Sequence, residues 1–115
     1  MRKIRQIPFL MLVLATCGWA SDKFVGPCYQ VRGRLSFYNG TPATRIWIIG
    51  THRMLGVRSE DQNLPANVKK LLKGFNDRIF GDFTVCPLTK EQPGKMRIVF
   101  VQSSSHVVNR PQPYP

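Results

Sequence analysis

Acidic residues are scarce. Six Asp and Glu stand against 17 Lys and Arg in 115 residues, a formal net charge of +11. Asp22, Glu60, Asp61, Asp77, Asp82 and Glu91 show neither the spaced oxygen set that calcium needs nor a facing pair suited to glycoside cleavage. Glu60 and Asp61 are adjacent, but they fall in a polar stretch that reads as a solvated loop.

Histidine is rarer still, with only His52 and His106. The chain has three cysteines but no CxxC and no HExxH, so no metal site and no cofactor are expected. It also has no GxSxG elbow. Ser103, Ser104 and Ser105 precede His106, but neighbours along a chain do not make a triad. The expectation is a protein without catalytic residues. The alternative is a small enzyme using His52 or His106, which requires a pocket bringing a nucleophile or carboxylate to one of the rings.

Long apolar runs are lacking too. Ile7 to Ala15 is interrupted by Pro8 and is too short for a membrane span of about 20 residues. Arg2, Lys3 and Arg5 precede it and Gly18-Trp19-Ala20 follows, the pattern of an export signal over 1–20 cleaved after Ala20. Two alternatives are an uncleaved anchor and lipid attachment at Cys17, where Leu14-Ala15-Thr16-Cys17 carries Thr16 at a position usually small. The expected location is secreted or periplasmic. Cleavage would leave 95 residues (115 − 20) with a net charge of +8 (14 basic − 6 acidic), enough for one domain. It would also leave two cysteines, Cys28 and Cys86, and an even pair in a small exported domain is expected to be bridged. Each lies on the parity opposite the buried set of its strand, so the bridge is expected on the outer face or at a strand end.

What is present is β-patterned. Tyr29, Val31, Leu35 and Phe37 alternate with Gln30, Arg32, Arg34 and Ser36, with Gly33 at an inward place, giving one buried and one wet face. Asn39-Gly40 is a turn, and Pro42 prolongs it. Arg45 to Ile49 is apolar on both parities, as in a strand covered on both sides. Met54, Leu55 and Val57 suggest a short strand with Gly56 as a bulge. Leu64, Val68, Leu71, Leu72 and Phe75 then fall at helical spacing, predicting a helix near 65–74 that opens at Pro65 and ends at Gly74. Phe80 to Cys86 and Met96 to Val101 return to strand character, Ser103 to Ser105 are ambiguous, and Val107-Val108 could close the sheet. Three prolines in the last six residues make 109–115 an expected flexible, extended tail.

The order of short motifs resembles a transthyretin-like, carboxypeptidase-regulatory-type domain over residues 29–101. The matching residues are Val31-Arg32-Gly33-Arg34-Leu35, Asn39-Gly40-Thr41-Pro42, Arg45 to Gly50, Gly81-Asp82-Phe83 with Leu88, and Pro93-Gly94-Lys95-Met96-Arg97-Ile98-Val99. Gly81-Asp82 reverses the usual order, and Met96 stands for the usual aromatic. The resemblance implies a mainly β, Ig-like/transthyretin-like sandwich over 21–108 with the helix inserted. It further implies an accessory binding or surface module, and it brings no catalytic residue.

The basic residues carry the strongest functional hint. Arg32 and Arg34 point outward from the first strand, and Lys69, Lys70 and Lys73 line one side of the helix; if these faces adjoin, they form an anion-binding surface. The partners this suggests are anionic envelope polymers, lipid head groups or an acidic protein, with nucleic acid disfavoured by export. An uncommitted basic exterior explains the same residues. Trp47 and Tyr38 would suit sugar stacking if exposed together, although an apolar strand favours packing for Trp47. Asn39-Gly40-Thr41 matches a glycosylation sequon that the turn already explains.

Overall fold

The computed structural model describes residues 24–58 and 64–113. The expected export signal with its expected cleavage point, Cys17 and the Glu60-Asp61 pair lie outside the described residues. Six elements follow in order: β1 (Tyr29–Phe37), β2 (Thr44–Ile48), β3 (Met54–Val57), α1 (Ala66–Leu71), β4 (Ile79–Pro87) and β5 (Arg97–Asn109).

The strands form one closed barrel, not two sheets. β1, β2 and β3 make an antiparallel meander, and the chain returns through α1 to lay β4 beside β1. That is the 4-1-2-3 order of a Greek key. β5 then fills the remaining gap, antiparallel to β4 and parallel to β3. The expected Ig-like/transthyretin-like sandwich is therefore overturned. The physical reason lies in β5, which pairs with β4 along one edge and with β3 along the other and so leaves no sheet edge open. Alternation along β1 correctly marks a buried face, but that face looks onto the same sheet curled round.

Glycines permit the curl. Gly33 and Gly81 are cross-strand partners on β1 and β4. A Cβ on Gly33 would run into Ile46 Cγ2 and lie 3.1 Å from the Trp47 carbonyl oxygen. A Cβ on Gly81 would lie 2.8 Å from Val107 Cγ1 and 3.0 Å from the Ser105 carbonyl oxygen. Both sites need a residue without a side chain because neighbouring strands come too close.

The core is aliphatic with one large ring. Leu35, Ile46, Leu55, Ile79, Phe83, Val85, Val99 and Val101 fill the barrel, and Val68 and Leu72 add the apolar side of α1 to the same cluster. Full burial of each large side chain contributes roughly 1.5–3 kcal/mol. β5 reaches the whole way by bending. Register shifts fall between Thr84/Val85 and Phe80/Asp82, so the inward set becomes Val99, Val101, Ser104, Val107 and Asn109. His106, at the second shift, takes a positive φ of 53°. The two expected pieces at 96–101 and 107–108 are thus one strand, and the serines lie within it.

α1 is shorter than the predicted 65–74. Pro65 stands at its N-cap and Leu72 at its C-cap. The next two amides leave the helical ladder because Asp77 Oδ2 accepts from the N–H groups of Lys73 at 2.7 Å and Gly74 at 3.1 Å. Asn67 fastens the helix to β5, donating to the Ser104 carbonyl at 2.9 Å and accepting from the Ser104 hydroxyl at 2.6 Å.

Cys28 and Cys86 form a disulfide with Cα atoms 4.1 Å apart. Cys28, exposed, immediately precedes β1, and Cys86 lies near the end of β4, so the bridge clips the two strand ends together. Cys86 is nonetheless fully buried. The segment before Cys28 folds over this end: Val25 N–H donates to the Pro87 carbonyl, and Phe24 stacks on Phe100, the β5 partner of Cys86. A linkage over a sequence separation of 58 residues stabilises by about 4 kcal/mol in the chain-entropy picture.

Candidate functional site: an arginine and aromatic row on the barrel wall

The β1–β2 register sets Arg34 opposite Trp47 and Ser36 opposite Arg45. These positions alternate with the buried Leu35 and Ile46, so their side chains leave the barrel on its outer wall. Tyr38 follows at the start of the connection to β2, which Tyr38 N–H closes by donating to the Ala43 carbonyl at 2.7 Å. Gly40 allows that turn with a φ of 119°.

Four side chains are linked in sequence along the wall by two ring contacts and a hydrogen bond. The Arg34 guanidinium lies over the Trp47 ring at 4.9 Å, and Arg34 Nη2–H donates to the Tyr38 hydroxyl at 3.1 Å. The Arg45 guanidinium in turn lies over the Tyr38 ring at 5.1 Å. Arg45 is fixed by Nε–H donating to the Pro42 carbonyl at 2.8 Å, and Trp47 by Nε1–H donating to the Thr51 carbonyl at 2.7 Å. The row reads Trp47, Arg34, Tyr38, Arg45. Each cation–π contact is worth about 0.5–1 kcal/mol at an exposed site, enough to orient the side chains. Among the described residues neither Arg34 nor Arg45 has a carboxylate partner, so both charges stay available to an outside anion.

Other expected site residues are placed differently. Arg32 reaches Asp82 at 3.5 Å and gives part of its charge to that contact. Lys69 and Lys70 are exposed on α1, and Lys73 is exposed just after it. Among the described residues no hydrogen bond, ion pair or ring contact joins these lysines to Arg32 or Arg34. Trp47 is half-buried on the outer wall, with Arg34 between it and Tyr38. Arg45 was missed in the sequence, although the hairpin after Asn39-Gly40 brings it onto the face of Arg34. Arg78, described below, precedes β4 in an irregular stretch and left no periodic signal.

The histidines acquire partial surroundings. His106 Nδ1 lies 3.1 Å from Asp82 Oδ2, but the same carboxylate meets Arg32, and the histidine side chain is 78% exposed. His52 borders a cleft of about 380 Å³ between the β2–β3 and β4–β5 connections. Glu91 in that cleft is already held by Arg53 at 2.7 Å and Arg97 at 3.4 Å. Among the described residues no hydroxyl is hydrogen-bonded to either ring. No cluster of three or more His, Cys, Asp and Glu suited to a metal occurs among the described residues, and none of their helices is long and apolar enough to cross a membrane.

No protein family, curated protein or solved structure matches the chain.

Proposed function

We propose that the chain is an exported, non-enzymatic binding barrel whose β1–β2 wall holds an anionic polymer of the cell envelope. The single observation carrying this is the Trp47-Arg34-Tyr38-Arg45 row, two oriented guanidinium groups without carboxylate partners among the described residues, alternating with two aromatic side chains. Such a surface offers charge to anionic groups and flat apolar area to the units between them. The Cys28–Cys86 disulfide fits an oxidising compartment, and the signal-like N-terminal pattern supports secreted or periplasmic delivery. A five-stranded Greek-key barrel is the architecture of the oligonucleotide- and oligosaccharide-binding folds. Fold alone assigns no ligand, so the reading rests on the row. Export favours an envelope polymer over nucleic acid.

The test is retention of the oxidised protein on an immobilised anionic polysaccharide under a salt gradient. Retention is expected at low ionic strength and loss as salt shortens the screening length to roughly 8 Å near physiological strength. Arg34→Gln with Arg45→Gln is expected to elute well before wild type, whereas Lys90→Gln, outside the row, elutes with it. No retention at low salt, or equal elution of both variants, sinks the proposal.

A further inference from the structure

Just beyond the row, the end of β1 meets the α1–β4 connection and the segment after β5. Arg34, Ser36, Tyr38, Phe75, Arg78 and Gln112 enclose a cavity of about 400 Å³ there. Three observations mark it as built for an oxyanion. First, Ser36 is 6% exposed and among the described residues its Oγ has no hydrogen-bond partner, and Arg34 Nε is likewise buried without one. A buried polar atom left unpaired costs free energy, so it marks a place that a ligand can complete. Second, among the described residues the lining supplies two guanidinium groups, two hydroxyls and an amide but no carboxylate. Third, the nearest carboxylate along the chain, Asp77, is turned to other work. Its Oδ1 accepts from Asn109 Nδ2 at 2.9 Å and its Oδ2 from the Lys73 and Gly74 amides.

The walls are held in place. Arg78 Nε–H donates to the Arg110 carbonyl at 2.9 Å. Arg110 N–H returns a bond to the Arg78 carbonyl, and Gln112 N–H donates to the Asn76 carbonyl at 2.6 Å. The start of the proline-rich segment is thereby strapped along residues 76–78. Phe75 is 63% exposed with its ring edge-on to Phe37 at 6.0 Å, leaving an apolar wall at the mouth.

We propose that this cavity binds the phosphate group of a sugar phosphate unit, with Arg34, Arg78 and Ser36 on the phosphate and Phe75 beside the sugar ring. A planar carboxylate is satisfied by one guanidinium fork, whereas a doubly charged tetrahedral group uses two cations and a hydroxyl together. The proposal deepens the polymer-binding reading by naming phosphorylated saccharide as its ligand class, and it rests on that reading.

Glucose 6-phosphate, inorganic phosphate and glucose are titrated into the oxidised protein at constant ionic strength, and the thermal midpoint is followed. A ligand that binds only the folded state raises it. Glucose 6-phosphate is expected to raise the midpoint most, phosphate less, and glucose or matched chloride not at all. Ser36→Ala and Arg78→Gln are expected to weaken the sugar phosphate at least tenfold, while Lys90→Gln, outside both the row and the cavity, leaves it unchanged. The idea is overturned if no phosphate-dependent shift occurs, if chloride matches it, if inorganic phosphate equals glucose 6-phosphate, or if the Ser36 and Arg78 variants respond as wild type. Should Ser36→Ala fold poorly, Arg78→Gln alone decides, since its side chain lies outside the core. Polymer retention without a phosphate response removes the pocket assignment alone. A phosphate response without polymer retention removes the wall reading alone.

Discussion

Replacing Gly33 by Ala adds one methyl group where the barrel has no room for it. The new carbon would meet Ile46 Cγ2 and the Trp47 carbonyl oxygen, with Phe83 at 3.6 Å behind them. Ile46 and Phe83 are both fully buried, so neither can swing into solvent. Overpacking of this kind costs about 1–3 kcal/mol. Stiffening the unfolded chain returns about 0.4–1 kcal/mol, because Gly33 has no positive φ that Ala would resist. The expected net loss is about 1–2 kcal/mol, or roughly 4–8 °C per kcal/mol in a domain of this size. Urea unfolding of the oxidised protein measures it, and a second substitution tests the cause. Ile46→Leu removes the β-branch that carries Cγ2 and by itself costs less than about 1.5 kcal/mol. In that background the Gly33→Ala penalty should shrink by about 1 kcal/mol, a coupling typical of residues in contact. Rescue is incomplete because the Trp47 oxygen belongs to the backbone. Gly74→Ala is the control: nothing lies within 4 Å of its added carbon, so stability should hold or rise slightly. If Gly33→Ala is as stable as wild type, or if its penalty is the same in the Ile46→Leu background as in wild type, the close approach of β1 and β2 is not what requires glycine.

Three further outcomes follow from other contacts. Cys28→Ser with Cys86→Ser should lower unfolding free energy by about 4 kcal/mol, read from urea midpoints; an unchanged midpoint would mean that the bridge constrains nothing. Asn67→Ala strips the Ser104 hydroxyl and carbonyl of their partner and should cost about 1–3 kcal/mol in the same assay. Asp77 has its pKa lowered below 3.8 by the Asn109 side-chain hydrogen bond, with the Lys73 and Gly74 amides and the Lys73 charge adding to it and burial opposing. A depressed carboxylate stabilises the fold above its unfolded pKa and loses that contribution as pH falls through the folded value. Asp77→Asn should therefore lower the thermal midpoint at neutral pH and flatten its fall below about pH 4; parallel curves would show that Asp77 does not drive the acid limb.

How much of this was legible depends on what a local pattern encodes. Alternation in β1 was readable because Arg32, Arg34 and Ser36 face outward while Leu35 and Phe37 face inward, and the disulfide was readable from the even pair of cysteines that follows the expected export signal. β5 was readable only to Val101, because inward spacing then runs in threes to Ser104 and Val107, and a bulge looks like lost periodicity in one dimension. The sandwich error has the same origin: a half-buried strand has identical alternation whether its inner face meets a second sheet or its own sheet bent into a tube. What separates the two is the pairing of β5 with β3 as well as β4, which joins Leu55 to Arg97, 42 residues apart in sequence (97 − 55). The site follows the same rule. Arg34, Tyr38 and Trp47 could each be singled out alone, but the order Trp47, Arg34, Tyr38, Arg45 exists only once the hairpin pairs Arg34 with Trp47 and Ser36 with Arg45. A shift of one residue in that register would turn Trp47 and Arg45 toward Leu35 and Ile79 and leave Arg34 without an aromatic face. The closeness that makes Gly33 necessary is the same β1–β2 contact that lays Arg34 over Trp47, so packing these two strands together and assembling the row are one structural event.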